Sequence, residues 1–150
     1  MSYLLDTGIL LRMFDRSDPQ FPQIRDVLRR LRVNSERIVT TEQNLAEFWN
    51  VSTRPTSARG GYGISVQWAA RRLAFLQRLC VIEGGGQPAF EEWKRLLVSC
   101  NVQGSKVHNA RIAALMLASG VSHIITLNVA DFSRFPGIIA LRPTDVLSAP

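Results

Sequence analysis

The sequence predicts an α/β fold, a mostly parallel sheet of roughly five strands with helices on both sides. Three observations predict it. Short apolar runs recur at Tyr3-Leu4-Leu5, Ile38-Val39-Thr40-Thr41, Cys80-Val81-Ile82-Glu83, His123-Ile124-Ile125-Thr126 and Ile138 to Leu141. Between them lie longer segments whose apolar residues return at the spacing of one helix face. Strands that alternate with helices pair in parallel through crossover connections, which places helices on both faces of the sheet.

Taken in order, the first strand ends on Asp6-Thr7. A carboxylate directly after a buried strand sits where open α/β sheets gather their ligands. Asp6 also reads as the N-cap of a helix over Ile9 to Phe14, so one residue carries two readings. Asp15-Arg16-Ser17-Asp18 closes that helix. Asp18-Pro19 then reads as cap and first turn of a helix to about Val33, with Ile24, Val27, Leu28 and Leu31 on one face and arginines opposite. Asn34-Ser35-Glu36 turns into the second strand, and Gln43 to Val51 follows as a helix whose lone acid is Glu47. Arg54 to Gly63 holds too much glycine and proline for regular structure and reads as a mobile surface loop.

Ser65 is placed to cap a helix through Trp68, Leu73, Phe75, Leu76 and Leu79. Gly84-Gly85-Gly86 ends the third strand, and with no nucleotide-binding glycine pattern around it a plain turn is expected. Pro88 opens a helix through Phe90, Trp93, Leu96 and Leu97. After Gln103-Gly104-Ser105-Lys106, the alanine-rich segment Val107 to Ala118 forms a helix able to pack closely on the sheet, stopped by Gly120. Leu127-Asn128-Val129-Ala130-Asp131-Phe132 follows the fourth strand, and Pro143 is expected to end the regular structure.

A chain of 150 residues that is 46% hydrophobic is expected to form one domain over 1–150. No apolar run approaches the roughly 20 residues that cross a bilayer, and Asp6 and Arg12 interrupt any signal-peptide pattern, so a cytoplasmic protein with no membrane contact is expected. Cys80 and Cys100 lack C-x-x-C spacing, which argues against a zinc site or a disulfide framework. The net charge is +6, and 16 of the 18 basic residues are arginine. Planar guanidinium groups suit phosphate, so a polyanionic partner is plausible; the plainer account makes Arg25, Arg29, Arg30 and Arg32, with Arg71, Arg72 and Arg78, solvated helix faces.

In a parallel sheet the C-terminal strand edges lie together, so Asp6, Glu47, Asn128 and Asp131 could meet, joined by Asn109 from the first turn of the alanine-rich helix. Each has a structural account as well: Asn109 as a cap, Asn128 and Asp131 as turn residues, Glu47 as a surface acid. Carboxylates that converge about 4 Å apart repel by roughly 4 kcal/mol per pair at an effective dielectric near 20 and need a cation. Oxygen-only donors favour Mg²⁺ or Mn²⁺ over zinc, with open positions for phosphate oxygens. His108 and His123 are not needed for this chemistry.

Leu4-Leu5-Asp6-Thr7, Asn44-Leu45-Ala46-Glu47-Phe48-Trp49-Asn50-Val51 with Thr53-Arg54-Pro55, Val107-His108-Asn109-Ala110-Arg111-Ile112-Ala113-Ala114, and Ile125-Thr126-Leu127-Asn128-Val129-Ala130-Asp131-Phe132 resemble, in order and spacing, the motifs of PIN-domain nucleases, and specifically VapC-like toxins. The resemblance covers nearly the whole chain. It implies a three-layer α/β/α fold, Mg²⁺- or Mn²⁺-dependent endoribonuclease activity on RNA, a homodimer, and inhibition by a VapB-like antitoxin. By position, Asp6 and Glu47 match the first two family acids, Asn109 the third and Asn128 the fourth, with Asp131 near enough to substitute. Thr7, Arg54 and Arg111 are the implied substrate or partner contacts.

Asn109 departs from the family pattern, which has aspartate there. An amide keeps the oxygen donor but loses the charge, which weakens divalent-ion binding. Reduced activity, a site geometry that uses Asp131, or a deliberately inactivated protein would each explain it. The competing reading is a catalytically silent PIN-fold module that binds RNA or antitoxin. A phospho-acceptor role for Asp6 lacks the second acid such sites carry, because Gly8 occupies its place.

Overall fold

A computed structural model describes residues 1–148 of the chain. Five strands form one sheet: β1 (Ser2–Leu5), β2 (Arg37–Thr41), β3 (Val81–Glu83), β4 (His123–Ile125) and β5 (Ile139–Leu141). Their order is β3-β2-β1-β4-β5, and every pair is parallel. The expected α/β/α architecture is therefore observed. The chain winds outward from β1 through β2 to β3, then returns to the other side of β1 for β4 and β5. The reversal makes the C-terminal end of β1 the switch point of the sheet, where a crevice opens.

Alternation along the strands divides the core. Leu4, Val39 and Ile124 face one layer, packed against Ala110, Ala113 and Ala114 of α6 (Lys106–Ala118) and Leu96 of α5 (Gln87–Ser99). Leu5, Ile38 and Ile125 face the other, against α1 (Thr7–Arg12), Ile24 and Val27 of α2 (Phe21–Val33), Phe48 of α3 (Glu42–Thr53) and Leu76 of α4 (Val66–Leu79). Each fully buried Leu, Ile, Val or Phe contributes roughly 1.5–3 kcal/mol. The alanines of α6 bring that helix close to the sheet, as expected. Its end is a Schellman turn: Gly120 at φ 69° donates its N–H to the Leu117 carbonyl at 3.2 Å, and Val121 donates to Met116 at 2.8 Å.

Several boundaries differ from the sequence expectation for local reasons. Helix α1 begins at Thr7 because Asp6 caps it, accepting the Thr7 N–H at 2.8 Å. Helix α2 begins at Phe21, not at Pro19. Asp18 instead caps the preceding turn, accepting from the Gln20 N–H at 2.8 Å, and pairs with Arg12 at 3.2 Å. Asn109 does not cap α6, whose N-cap position is Ser105. Pro143 does not end the regular structure. It opens a last helix, α8 (Pro143–Ser148), where Asp145 reaches back to accept the Arg142 N–H at 2.7 Å and a first-turn proline loses no hydrogen bond. A short helix α7 (Val129–Phe132) follows β4. None of the described helices is long and apolar enough to cross a membrane.

The Arg54 to Gly63 loop is pinned, not free. Tyr62 donates its N–H to Val51 at 3.0 Å and Gly63 to Arg54 at 2.8 Å. Gly61 passes so near this turn that a Cβ there would stand 2.4 Å from the Arg54 carbonyl oxygen and 2.5 Å from that of Pro55. Gly61→Ala is therefore expected to destabilise the protein by about 1–3 kcal/mol, because backbone must move to make room. Urea unfolding checks this, and an unchanged midpoint would contradict the packing of the loop.

Candidate functional site

The site grows from the end of β1. Because β1 is central, the residue after it enters a place walled by the ends of β2 and β4, and Asp6 is 9% exposed there. Its backbone N–H is still bound to the β4 carbonyl of Ile125 at 3.1 Å. Its carboxylate accepts on both oxygens: Oδ1 from the Thr7 N–H at 2.8 Å and the Asn44 amide at 3.3 Å, Oδ2 from the Thr126 hydroxyl at 2.6 Å. Both sequence readings of Asp6 therefore hold. It caps α1, and it ends the central strand at the switch point.

Glu47 comes in from α3. Thr41 ends β2 and caps α3, accepting the Asn44 N–H at 3.1 Å, and one further turn brings Glu47 to the same edge. Its Oε2 accepts from the Thr7 hydroxyl at 2.9 Å and its Oε1 from the Gln43 amide at 3.3 Å. Gln43 donates also to the His108 carbonyl at 3.1 Å, which ties the acid of α3 to the first turn of α6 where Asn109 lies. Asn109 is half-buried. The Gln43 Oε1 is buried with no hydrogen-bond partner.

From the β4 side, Asp131 of α7 is ion-paired with Lys106 at the start of α6. Asn128 is exposed, and its backbone N–H donates to the Thr126 hydroxyl at 3.0 Å. Arg54 donates to the Arg59 carbonyl at 3.2 Å and so braces its own loop. Arg111 is exposed and lines a groove of about 350 Å³ with Phe90 and Trp93 on the α5–α6 side.

Burial pushes the Asp6 carboxyl pKa up, and the nearby negative charges of Glu47 and Asp131 push it further; hydrogen bonds from Thr126 and the Thr7 N–H act in the opposite direction. Three acids thus share one electrostatic environment. Among the described residues, however, no three His, Cys, Asp or Glu side chains stand together as a cage for a metal ion. Asn109 brings an amide and no charge, and Asp131 is engaged by Lys106. Sequence reasoning assigned no role to Asn44, Thr126, Gln43 or Lys106. The Thr41-x-x-Asn44 spacing at a helix start was the available signal for the first of these.

The arrangement is a cluster of buried and half-buried acids, amides and hydroxyls at the switch point of a parallel α/β/α sheet. A family model described as PIN domain matches residues 3–138, and the chain belongs to that family. Among solved structures it is similar to VapBC2 from Rickettsia felis, bound to a DNA fragment from their promoter, with 18% identity over 95% of this chain and 98% of that one and a TM-score of 0.71. It is similar to VapBC-1 from nontypeable Haemophilus influenzae, with 18% identity, coverage of 96% and 99%, and a TM-score of 0.69. It is also similar to Mycobacterium tuberculosis VapC20, described as a Sarcin-Ricin loop cleaving toxin, with 19% identity, coverage of 94% and 99%, and a TM-score of 0.64. At such identities the likeness is one of fold. No curated protein matches the sequence.

The raised Asp6 pKa has a direct consequence for stability. An acid that binds its proton more tightly when folded makes the folded state lose stability as pH climbs from the unfolded pKa through the folded one, so neutral pH, above the unfolded pKa, carries a cost. In chelator at pH 7, Asp6→Asn is expected to raise the melting temperature. The gain should vanish below pH of about 4, where Asp6 is protonated in both states. Thermal unfolding across pH measures it, and a less stable variant at pH 7 would contradict the electrostatic account.

Proposed function

We propose that this protein is a divalent-cation-dependent endoribonuclease toxin of the VapC kind, restrained by a small VapB-like antitoxin. The observation that supports it most is the convergence of Asp6 and Glu47 through the shared Thr7, within the electrostatic reach of Asp131. Membership of the PIN domain family and the fold shared with a sarcin-ricin loop-cleaving toxin support the same reading.

The donor set fits Mg²⁺ or Mn²⁺. Mg²⁺ is commonly held by one or two carboxylates with the remaining positions left to water and substrate phosphate, so a cage of three acids is not required. Asp6 and Glu47 would hold it, with the amide oxygen of Asn109 in support and Asn128 or Asp131 from the β4 side. The ion would supply Lewis-acid activation of water and neutralise charge developing on the phosphate. The chain's own residues do the rest. Thr7, Asn44 and Thr126 keep the carboxylates aimed by donating to them. Lys106 places an ammonium beside Asp131, where an incoming phosphate would meet it, and Arg54 and Arg111 are the proposed phosphate or partner contacts farther out.

A second reading, the silent binding module, is favoured by one observation: Asn109 is neutral and Lys106 already offsets Asp131. Substitutions separate the two. Glu47→Gln is expected to abolish Mn²⁺-dependent cleavage of a structured RNA, and Asn109→Asp to raise Mn²⁺ affinity and cleavage by about tenfold, or 1.4 kcal/mol. If the wild type binds RNA without cleaving it and Asn109→Asp changes neither property, the silent module is correct.

The antitoxin has a suitable seat. A groove of about 750 Å³ runs between the end of α1, α2 and α4, with Phe14, Phe21, Leu28 and Phe75 inside and Arg25, Arg29 and Arg32 around it. Apolar walls with a cationic rim match an amphipathic helix that carries acidic residues. The chain is also proposed to act as a homodimer in the cytoplasm. Phe75→Asp is expected to weaken antitoxin binding by at least about tenfold while RNA cleavage persists. Titration calorimetry and a cleavage assay check this, and undiminished binding would place the antitoxin elsewhere.

A further inference from the structure

We infer that Asn44 is a positioning residue that sets the direction of every hydrogen bond between the end of β2 and the two carboxylates of the crevice. The inference rests on the cation-binding reading above for its purpose, but on geometry alone for its substance. Asn44 is fully buried, touches neither solvent nor the apolar core's edge as a surface amide would, and makes four hydrogen bonds.

The directions follow from counting protons. The Thr41 hydroxyl accepts the Asn44 backbone N–H at 3.1 Å and has one proton of its own, which goes to the Asn44 Oδ1 at 2.6 Å. That bond fixes which end of the amide is oxygen. The Nδ2 must then face the other way, where it donates to the Asp6 Oδ1 at 3.3 Å and the Thr7 Oγ1 at 3.0 Å. A flipped amide would set its oxygen against the Asp6 carboxylate, acceptor against acceptor. Because the Thr7 hydroxyl accepts from Asn44, its single proton is directed to the Glu47 Oε2 at 2.9 Å. The chain runs one way, from the backbone of α3 through Thr41 and Asn44 to Thr7 and Glu47, with a branch to Asp6.

A one-way chain has two effects. Each carboxylate receives only donors, so each stays an acceptor with its remaining lone pairs turned to the crevice. The amide holds Asp6 directly and Glu47 through the Thr7 hydroxyl, so the spacing of the two acids is set before any ion arrives.

The test uses the full-length protein with Asn44→Ala, and, should that variant not fold, Thr41→Val, which frees the amide without touching either acid; Thr41→Ser keeps the hydroxyl as the conservative control. The first readout is the metal-free crystal structure. The Thr7 hydroxyl is expected to leave Glu47 in N44A or T41V and to remain on it in T41S. The second is Mn²⁺ titration, where N44A and T41V are expected to bind about 10–100-fold more weakly than wild type and T41S to recover most of that loss. A folded N44A or T41V that retains the Thr7–Glu47 hydrogen bond and wild-type Mn²⁺ affinity overturns the inference. If the wild type itself takes up no Mn²⁺, the cation reading fails on its own, and the metal-free structures still decide the role of Asn44.

Discussion

One constraint organises this molecule: a carboxylate is buried at the end of the central strand, next to other acids, in a place where burial opposes its charge. Asp6 could be relieved of that conflict by moving outward, but its backbone is locked to β4 and its side chain caps α1. The surroundings therefore have to supply donors. Thr7, Asn44 and Thr126 do so from three different elements, and each of them is itself buried. A polar cluster of this kind is stable only when nearly all of its members are satisfied. Its residual strain is electrostatic, and the divalent cation proposed above would relieve it.

The two layers of the fold divide the remaining work. The α5–α6 side is closely packed and alanine-rich, with Trp93 donating its indole N–H to the Val107 carbonyl at 3.3 Å; it holds the start of α6, and so Lys106 and Asn109, against the crevice. The α1–α4 side is more open and carries the arginines. There the basic residues are not simply a solvated face. Arg72 lies over the Phe14 ring and Arg71 over Trp68, at 5.2 and 5.1 Å from the centroids, which keeps charge beside apolar surface, as the proposed acidic partner would require. Cys80 is a buried free thiol in the α1–α4 layer, and burial raises its pKa to about 12.

Much of this was legible in the chain. Local pattern places β1 through β5 and most helices, because strand and helix periodicities are properties of neighbouring residues. It also marks Asp6, Glu47, Asn128 and Asp131 as a group, because they follow strands whose ends a parallel sheet must bring together, and adds Asn109 from the first turn of the alanine-rich helix. Where the pattern misled, the competing interaction was short-range but ambiguous. Pro143 ends one kind of structure as readily as it begins another, and only the return of Asp145 to the Arg142 N–H selects the second. Asp18 had two turns it could cap, and its pairing with Arg12 favours the first.

What the sequence determined by itself is the inventory: the alternation of strands and helices and the acids that follow strand ends, readable because they depend on spacing along the chain. What only the tertiary structure decided is which polar groups answer one another across it. Thr126 reaches Asp6 over a separation of 120 residues, Thr7 meets Glu47 over 40, and Lys106 engages Asp131 over 25. Hydrogen bonds and ion pairs act over a few ångströms in space, so their partners are set by how the sheet is wound and not by distance along the chain.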